Sequence, residues 1–394
     1  MRGRSAPVAV LAALALGWVA ATAAAPAAER PADPLVRFQW HLRAIQAPPA
    51  WTITRGAGVT VAVLDTGVAY EDRGPYRRAS ELPAARIVPG WDFVDDDAHP
   101  DDVPPPDGRR SHGTHIATII AAAQGNGIGG AGVAPEATIM PLRVLESDRS
   151  GTALRIARGL LFAADHGADV ANLSIAGPRP SRVLREAIAY ARAKGVTIVA
   201  AAGNDGRASV SWPAAYPGVI AVGAVDRAGR RAGYSNHGSA LDLVAPGGSG
   251  ELVDVGYGPR DGVQSQTLLG GPAQFCFCFM ASTSAAAAEV SGVAALLIAS
   301  GRATTPAAVR AALASSARPP GTPAPRREYG AGLVQARAAL EAVGAVEAAL
   351  PAGSAPRRDD SPGWRWPMSA LTGAALLGLA AAAALWRRRA NGAG

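Results

Sequence analysis

The stretch VTVAVLDTGV, residues 59–68, decides the expected fold. Its first residues are apolar and mostly β-branched, which predicts a short strand buried on both faces. Asp65, Thr66 and Gly67 follow at once, so a carboxylate and a turn come directly after the strand. In sheets of parallel strands, functional sites gather at the carboxyl ends, and this stretch therefore marks both a fold and a place to look for chemistry.

Similar apolar runs recur along the chain and alternate with helical patterns. They occupy residues 138–145, 170–175, 196–203 and 219–225. Between them, residues 152–167 and 180–195 repeat apolar side chains at spacings of three and four. Strands alternating with helices predict an α/β fold, a three-layer, doubly wound and mostly parallel sheet covered by helices on both faces.

The composition of the 394 residues narrows the class of protein. Apolar residues make up 49% of the chain and charged residues 18%, with a formal net charge of +7. Lys194 is the only lysine, so the excess of arginine reflects either a coding bias or a basic surface. Basic residues do not form a block interleaved with aromatics, which argues against a nucleic-acid partner.

The only cysteines, Cys276 and Cys278, lie in the apolar run that leads to Ser284. Two cysteines do not make a disulfide framework, and neighbours this close rarely form an unstrained bridge. If the run is a strand, both side chains share one face. We expect two small buried hydrophobes, with a redox switch beside Ser284 as the alternative.

The two ends of the chain predict a location in the cell. Residues 1–28 have a basic start, a short apolar middle and a small-residue region, as in a secretory signal peptide cleaved between residues 23 and 28. An uncleaved anchor is the alternative. Residues 367–386 carry no charge and would span roughly 30 Å as a helix, enough to cross a bilayer. The alternative there is an alanine-rich buried helix.

The flanks of the second segment favour a membrane helix. Tryptophans lie near both ends and arginines follow it, at Trp364, Trp366, Trp386, Arg387, Arg388 and Arg389. This predicts a single-pass protein of the cell membrane with its main domain outside the cytoplasm. The domains are then a signal peptide (1–28), a main domain (34–345), an exposed stalk (346–366), a transmembrane helix (367–386) and a cytoplasmic tail (387–394).

Four polar groups fall where one cleft at the sheet edge would collect them. Asp65 ends the first strand, Asn204 follows the run 196–203, and Ser284 follows the apolar run 274–279. His112 would open a helix in the segment RSHGTHIATIIAAA. Alone, each has an ordinary explanation as a strand-end turn, turn former, helix cap or packed histidine.

Taken in order, the segments VAVLDTGV, SHGTHIA, AAGN and STSAAAAEVSG resemble the four signature blocks of the subtilisin-like serine proteases. The similarity runs from about Gln39 to Ala345. It implies that Ser284 is the nucleophile, that His112 is its base, and that Asp65 orients the imidazole. Asn204 would donate its side-chain amide to the oxyanion. No cofactor is required for this chemistry. The layout of signal, protease and tail resembles the mycosin proteases of type VII secretion.

Several residues depart from the family pattern. Ser282 replaces a glycine, Ala285 a methionine, Ala288 a proline and Glu289 a histidine in the serine block, and Thr118 replaces a glycine in the histidine block. The serine at 282 is expected to shift the turn, because backbone close to substrate tolerates little bulk. These changes either tune activity or mark a degraded enzyme; retention of all four chemical residues favours activity.

The resemblance also implies substrate-binding residues and a calcium loop. Two segments would pair with the substrate backbone, and small residues would line an apolar pocket for the residue before the cut. These are Ser150 and Gly151, Ser174, Ile175 and Ala176, and Ala201, Ala202, Gly203 and Ser211. A structural Ca²⁺ would take the Asn126 side chain and the carbonyls of Gln124, Ile128 and Gly130, with charge from Asp72. A plain glycine-rich turn is the alternative.

The sequence therefore predicts a membrane-tethered, outward-facing serine endopeptidase that hydrolyses polypeptides through an acyl-enzyme. Its partners would be polypeptide substrates, the membrane, and either a secretion system or a sorting enzyme that removes the tail. The alternative from another class is an impaired homologue that binds peptides or acts as a scaffold.

Overall fold

The computed structural model describes residues 32–250, 261–319 and 325–349. The predicted signal peptide, transmembrane helix and cytoplasmic tail lie outside these ranges, as does the stalk beyond residue 349. Within the described ranges, no helix combines the length and apolar character needed to cross a bilayer. Contacts divide the chain into two compact units, residues 1–347 and 348–394, and the elements below belong to the first apart from the last residues of the final helix.

Within the described residues, seven strands form one parallel sheet in the order β2-β3-β1-β4-β5-β6-β7. They are β1 (Thr60–Asp65), β2 (Trp91–Asp92), β3 (Thr138–Arg143), β4 (Val170–Leu173), β5 (Thr197–Ala201), β6 (Ile220–Val225) and β7 (Leu243–Pro246). The predicted α/β class and parallel sheet are confirmed. The sequence patterns do not predict β2, which has only two residues, or β7.

Helices cover both faces of this sheet. They are α1 (Trp40–Ala44), α2 (Ala47–Ala50), α3 (Gly113–Ala121), α4 (Ala153–Asp165), α5 (Arg182–Ala193), α6 (Thr283–Ala299), α7 (Pro306–Ser316), α8 (Arg326–Tyr329) and α9 (Ala336–Ala349). Short 3-10 turns span Val36–Phe38 and Ala84–Arg86.

Side chains of β1 divide the core into two layers, because alternate residues of a strand point to opposite faces. Val61 and Val63 join the apolar cluster that contains α3 and α6. Ala62 and Leu64 join the cluster that contains α4 and α5. Residues 61–64 of β1 are therefore apolar on both faces, and the predicted three-layer arrangement is observed.

A separate antiparallel hairpin precedes α6 and consists of β8 (Val263–Leu268) and β9 (Phe275–Met280). Cys276 and Cys278 lie on β9 and form a disulfide, with Cα atoms 5.4 Å apart. The prediction of two unbonded hydrophobes was therefore wrong. Alternate residues on one face of a strand can approach within bridging distance, and this pair does so.

The carboxyl edge of the sheet collects the chemically interesting turns. Asp65 ends β1, Ser174 follows β4, and Asn204 follows β5. His112 and Ser284 lie at the amino-terminal ends of α3 and α6, and these helix ends lie beside the turns just named. This convergence follows from parallel strand order, since every strand then ends at the same edge.

Candidate active site

Asp65 and His112 form a buried hydrogen-bonded pair. His112 Nδ1 lies 2.7 Å from Asp65 Oδ1, and their exposed fractions are 4% and 0%. The same oxygen accepts a hydrogen bond from Thr66 N at 2.8 Å. With the carboxylate accepting from Nδ1–H, the imidazole keeps a lone pair on Nε2 and is held in one orientation. The pair can thus act as an oriented base.

A second buried acid, Asp102, supports this pair and was not singled out from the sequence. It accepts hydrogen bonds from Thr66 Oγ1 at 2.8 Å, and from Thr114 N and Oγ1 at 2.8 and 2.6 Å. Thr66 Oγ1 in turn accepts from Gly113 N at 3.0 Å. Asp102 therefore ties the turn after β1 to the first turn of α3. Its signal in the sequence is an acidic pair shortly before the histidine block.

Ser284 lies in the first turn of α6, and Ser282 caps this helix. The Ser282 side chain accepts a hydrogen bond from Ala285 N at 3.2 Å. Its φ of −172° is extended backbone that any residue adopts, so replacing glycine here imposes no strain. The expectation that this serine shifts the turn is not supported, because its hydroxyl instead satisfies a helix N–H that would otherwise lack a partner.

The Ser284 hydroxyl is buried and interacts with the turn after β4. Its Oγ donates to Ser174 O at 3.4 Å, a long hydrogen bond. Both residues are described, and no hydrogen bond joins Oγ to the imidazole of His112 in this structure. Catalytic hydrogen bonds are often long or misaligned before substrate binds. The arrangement is therefore compatible with a nucleophile that exchanges its acceptor on binding.

Asn204 is exposed and held by one end of its carboxamide. Its Oδ1 accepts hydrogen bonds from Thr283 N at 2.8 Å and Thr283 Oγ1 at 2.9 Å. A backbone N–H needs an acceptor, so the oxygen must face Thr283 and the NH₂ must face away. The residue that precedes Ser284 thus fixes the direction in which Asn204 can donate.

The predicted substrate segments differ in exposure. Ser150, Gly151 and Ala176 are exposed, and Ile175 is half-buried. Ser174 is buried: its Oγ donates to Ser284 O at 3.0 Å and accepts from Asn172 Nδ2 at 3.0 Å. The Ser174 side chain therefore braces the start of α6, a role that its position in the sequence does not reveal.

The predicted pocket residues Ala201, Ala202 and Gly203 are buried. Asn236, which sequence reasoning missed, donates from Nδ2 to Ser211 Oγ at 3.0 Å. A Cβ on Gly203 would lie 2.3 Å from that same Nδ2, and the glycine has a φ of +107°. Both the backbone and the lack of space thus require glycine beside Asn204.

The predicted calcium loop follows α3 and contains Gln124, Asn126, Ile128 and Gly130. Asp33 accepts hydrogen bonds from the backbone N–H groups of residues 125, 126 and 127, and Asn126 Oδ1 accepts from Ile128 N at 3.0 Å. The loop is thus tied to a segment near the start of the described chain.

Glu81, rather than Asp72, is the buried acid beside this loop. A Cβ on Gly129 would lie 2.3 Å from Glu81 Oε1, whereas Asp72 is exposed and accepts from Arg78 N. Both carboxyl oxygens of Glu81, and Gln124 Oε1, are buried without a hydrogen-bond partner. Burial raises the pKa of Glu81 to about 8, against a lowering effect of Asn126. Oxygen atoms without a hydrogen-bond partner can donate electron pairs to a hard cation, so these residues fit Ca²⁺.

Two family departures on α3 and α6 are explained by contacts with the rest of the fold. Thr118 is buried, and its Oγ1 donates to Gln266 O of β8 at 2.7 Å. Glu289 Oε1 lies 3.0 Å from Nδ1 of His41 on α1, and both side chains are fully buried. The contact is close but not aligned as a hydrogen bond.

Burial keeps both members of the His41–Glu289 pair neutral. It lowers the pKa of His41 to about 3, against a smaller raising effect of the Gln264 backbone, and it raises the pKa of Glu289 well above its ordinary value. The pair is therefore uncharged in the folded protein. It fastens α1 to the helix that begins with Thr283 and Ser284.

Comparison with known proteins identifies the family. A model of the subtilase family matches residues 56–332. The chain belongs to this family, the subtilisin-like serine proteases. It is 41% identical to thermitase of Thermoactinomyces vulgaris over 211 residues, covering 53% of this chain and 70% of that one. It is 37% identical to subtilisin Savinase of Lederbergia lenta over 301 residues, covering 76% and 97%.

Solved structures give the same result. A structure of proteases from Pseudoalteromonas arctica aligns with a TM-score of 0.70 and 34% identity, covering 80% of this chain and 99% of that one. A cold-adapted subtilisin-like serine proteinase aligns with a TM-score of 0.58 and 30% identity, covering 72% and 90%. These relatives support serine endopeptidase activity, with polypeptides as substrates.

Proposed function

We propose that this protein hydrolyses peptide bonds through Ser284, His112 and Asp65. The observation that carries the proposal is the buried Asp65–His112 hydrogen bond at the sheet edge where the turn bearing Ser284 also lies. A serine hydroxyl is a poor nucleophile at neutral pH and needs an adjacent base. A carboxylate-oriented imidazole supplies that base.

The proposed reaction has two halves. His112 Nε2 takes the proton from Ser284 Oγ as this oxygen bonds to the scissile carbonyl, and it then gives the proton to the leaving amine. Water next adds to the acyl-enzyme by the same route, which releases the acid and restores the hydroxyl. Asp65 stabilises the imidazolium in both halves.

Asn204 would stabilise the negative charge on the oxyanion. Thr283 occupies its Oδ1, which leaves the NH₂ as the only donor end. The N–H groups at the start of α6 favour the same charge. For the substrate residue before the cut, the small buried side chains of Ala201 and Ala202 favour a large apolar group, as does the absence of an acid among the predicted pocket residues.

A fluorophosphonate probe tests the proposal directly. The wild type should be labelled, with the adduct mapped by mass spectrometry to the peptide containing Ser284, and Ser284→Ala should not be labelled. The alternative is an impaired homologue that binds peptides. It is tested because the Ser284 hydroxyl forms a long hydrogen bond with Ser174 and none with His112. Absence of labelling in folded wild-type protein would favour that alternative.

The tether to the membrane is part of the proposal and is supported by the sequence alone. Residues 367–386 and the arginines after them would hold the peptidase outside the cytoplasm. The full chain should resist carbonate extraction from membranes, and a chain ending at residue 349 should not. Equal extraction of both would contradict the tether, and recovery of a tail-less form from cells would favour a sorting enzyme.

Replacing Asn204 should lower kcat with little change in KM. Asn204→Ala removes a donor to the oxyanion, a loss that typically lowers kcat by about 10²–10³-fold. Asn204→Asp is the matched control, because it keeps an acceptor for Thr283 but removes the N–H groups. Both should be impaired in a steady-state peptide assay. Activity near the wild-type level in Asn204→Asp would contradict the role.

Calcium should stabilise the fold through the loop after α3. The ion would bind the carbonyls of Gln124, Ile128 and Gly130 and the Asn126 side chain, and would compensate the charge of Glu81. At a concentration 100 times its Kd, it should add about 2.7 kcal/mol to the free energy of unfolding. A chelator should then lower Tm by about 4 °C. Glu81→Gln should weaken the dependence of Tm on calcium, and Asp72→Asn should not. A Tm that does not change with calcium would contradict the site.

A further inference from the structure

Arg149 has an unusual backbone at the rim of the candidate site. Its φ is +71°, a left-handed conformation that non-glycine residues rarely adopt. It lies in a tight turn, in which Arg149 N donates to Glu146 O and Glu146 N donates to Ser150 O. Ser150 and Gly151, the predicted substrate-pairing segment, come next. A strained conformation beside a binding segment is a reason to ask what the side chain does.

The Arg149 side chain extends toward the segment that contains His112. Its Nη2 lies 3.5 Å from the carbonyl oxygen of Arg110, which precedes Ser111 and His112. Arg110 is itself fixed by a β-bridge to Leu269, and Ser111 N donates to Leu268 O. The guanidinium therefore contacts the backbone two residues before the candidate base.

Charges of both signs surround Arg149 at this rim. Burial lowers the pKa of Arg149; Asp65 and Asp102 oppose this effect, and Arg109 and Arg110 add to it. The surface of Arg149 is exposed to solvent. The protein that surrounds its guanidinium is nevertheless the largest cause of the lowered pKa. We call Arg109, Arg110 and Arg149 the arginine rim.

The carboxylates near the arginine rim include the buried Asp65 and Asp102 as well as Asp107 and Asp148, and none of these four forms a salt bridge with Arg149. Asp107 pairs with Arg109, with Oδ2 2.6 Å from Nε, and Asp148 accepts from Ser150 N at 2.8 Å. Both acids are exposed, which limits their effect. Within the described ranges, no carboxylate lies within 4.0 Å of the Arg149 guanidinium. Arg149 is thus available for a carboxylate that arrives with a ligand.

We propose that Arg149 selects substrates with an acidic side chain at one of the second to fourth residues before the scissile bond. The inference rests on the proposed function. A guanidinium matches a carboxylate with two parallel N–H···O hydrogen bonds, and a lysine in the substrate would meet like charge. The preferred substrate thus combines an acidic residue upstream with an apolar residue at the cut.

A peptide panel tests the specificity. Each peptide keeps leucine before the cut and places Asp, Glu, Asn, Gln, Ala or Lys at the second, third or fourth residue before it. At one of these positions, the wild type should show kcat/KM about fivefold higher for Asp or Glu than for Asn or Gln, the value of one exposed ion pair. The preference should fall as ionic strength rises, because salt screens such pairs.

The variants separate charge from backbone effects. Arg149→Ala and Arg149→Gly should lose the preference, Arg149→Glu should favour lysine, and Arg149→Lys should keep part of it. Arg149→Gly also suits the left-handed backbone, so misfolding would not explain its loss of preference. Arg182→Ala removes an exposed arginine of α5 that pairs with Glu186, and it should leave the profile unchanged.

The outcomes distinguish this inference from the proposed function. Equal rates on acidic and neutral peptides at all three positions would overturn the specificity while leaving the peptidase intact. Ser284→Ala offers a second readout, since it should bind a fluorescent acidic peptide about fivefold more tightly than the amide peptide. Equal binding by that variant would overturn the inference independently. Absence of both cleavage and fluorophosphonate labelling would overturn the proposed function itself.

Discussion

Ser284→Ala is expected to lower kcat by about 10⁶-fold, the loss typical when a protease of this family loses the nucleophile of its triad. The reason is that the variant lacks the hydroxyl proposed to bond to the scissile carbonyl and to give its proton to His112. Steady-state hydrolysis of a chromogenic peptide, with an active-site titration of the wild type, measures the loss. Asp65→Asn should lower kcat by about 10⁴-fold, because the amide favours the wrong imidazole tautomer.

The matched control for this experiment is Ser300→Ala. Ser300 ends the same helix, and its Oγ donates to Leu297 O at 2.7 Å. Ser300→Ala should retain near wild-type kcat. Circular dichroism should show that Ser284→Ala keeps the wild-type fold. Comparable residual activity in Ser284→Ala and the wild type, after contaminating protease is excluded, would contradict the nucleophile.

The second large effect is expected on stability. Glu289→Ala should lower the free energy of unfolding by about 3 kcal/mol, because it leaves His41 buried without its polar partner and opens a cavity. His41→Ala should cost a similar amount. Denaturant unfolding of the double variant should reveal a coupling of about 1–3 kcal/mol. Strict additivity of the two losses would mean that the groups do not interact.

The same pair predicts how stability depends on pH. Glu289 keeps its proton in the folded state, whereas in the unfolded chain it ionises near its ordinary pKa of 4.5. The contribution of Glu289 to the free energy of unfolding is fully present below pH 4.5. It declines as pH rises, by up to about 1.4 kcal/mol per pH unit. Glu289→Gln should not show this decline. A wild type that instead gains stability over Glu289→Gln above pH 4.5 would indicate an ionised Glu289.

His41 gives the opposite slope. Its pKa is lowered from 6.5 to about 3 in the folded protein, so the stability it contributes is complete above pH 6.5 and declines as pH falls toward 3. Together, the two groups place the stability maximum of this pair between about pH 4.5 and 6.5.

Much of the sheet could be predicted because its signal is local. Strand β1 is apolar on both faces and ends in Asp65, and both features can be read from ten consecutive residues. The same holds for β3 to β6. The short strands β2 and β7 depend on pairing with neighbours and have no pattern of their own. The Cys276–Cys278 bridge in the described structure was likewise not predicted, because local spacing rules do not indicate how closely β9 brings the two residues.

The candidate site divides in the same way. Asp65, His112, Asn204 and Ser284 are recognised by their short flanking motifs. Asp102, Asn236 and Glu81 were missed because each acts through contacts with distant parts of the chain. Asp72 was assigned to the calcium loop from the resemblance to the family, whereas burial identifies Glu81.

The sequence by itself determined the alternation of most strands with helices, the family, and the chemical groups at the sheet edge, because each depends on runs of adjacent residues. Only the tertiary structure decided which way Asn204 can donate, which acid neighbours the loop after α3, and that His41 of α1 meets Glu289 of α6. Those outcomes depend on distances between atoms far apart along the chain. Such distances, and the burial that sets the protonation of His41 and Glu289, exist only once the layers have packed.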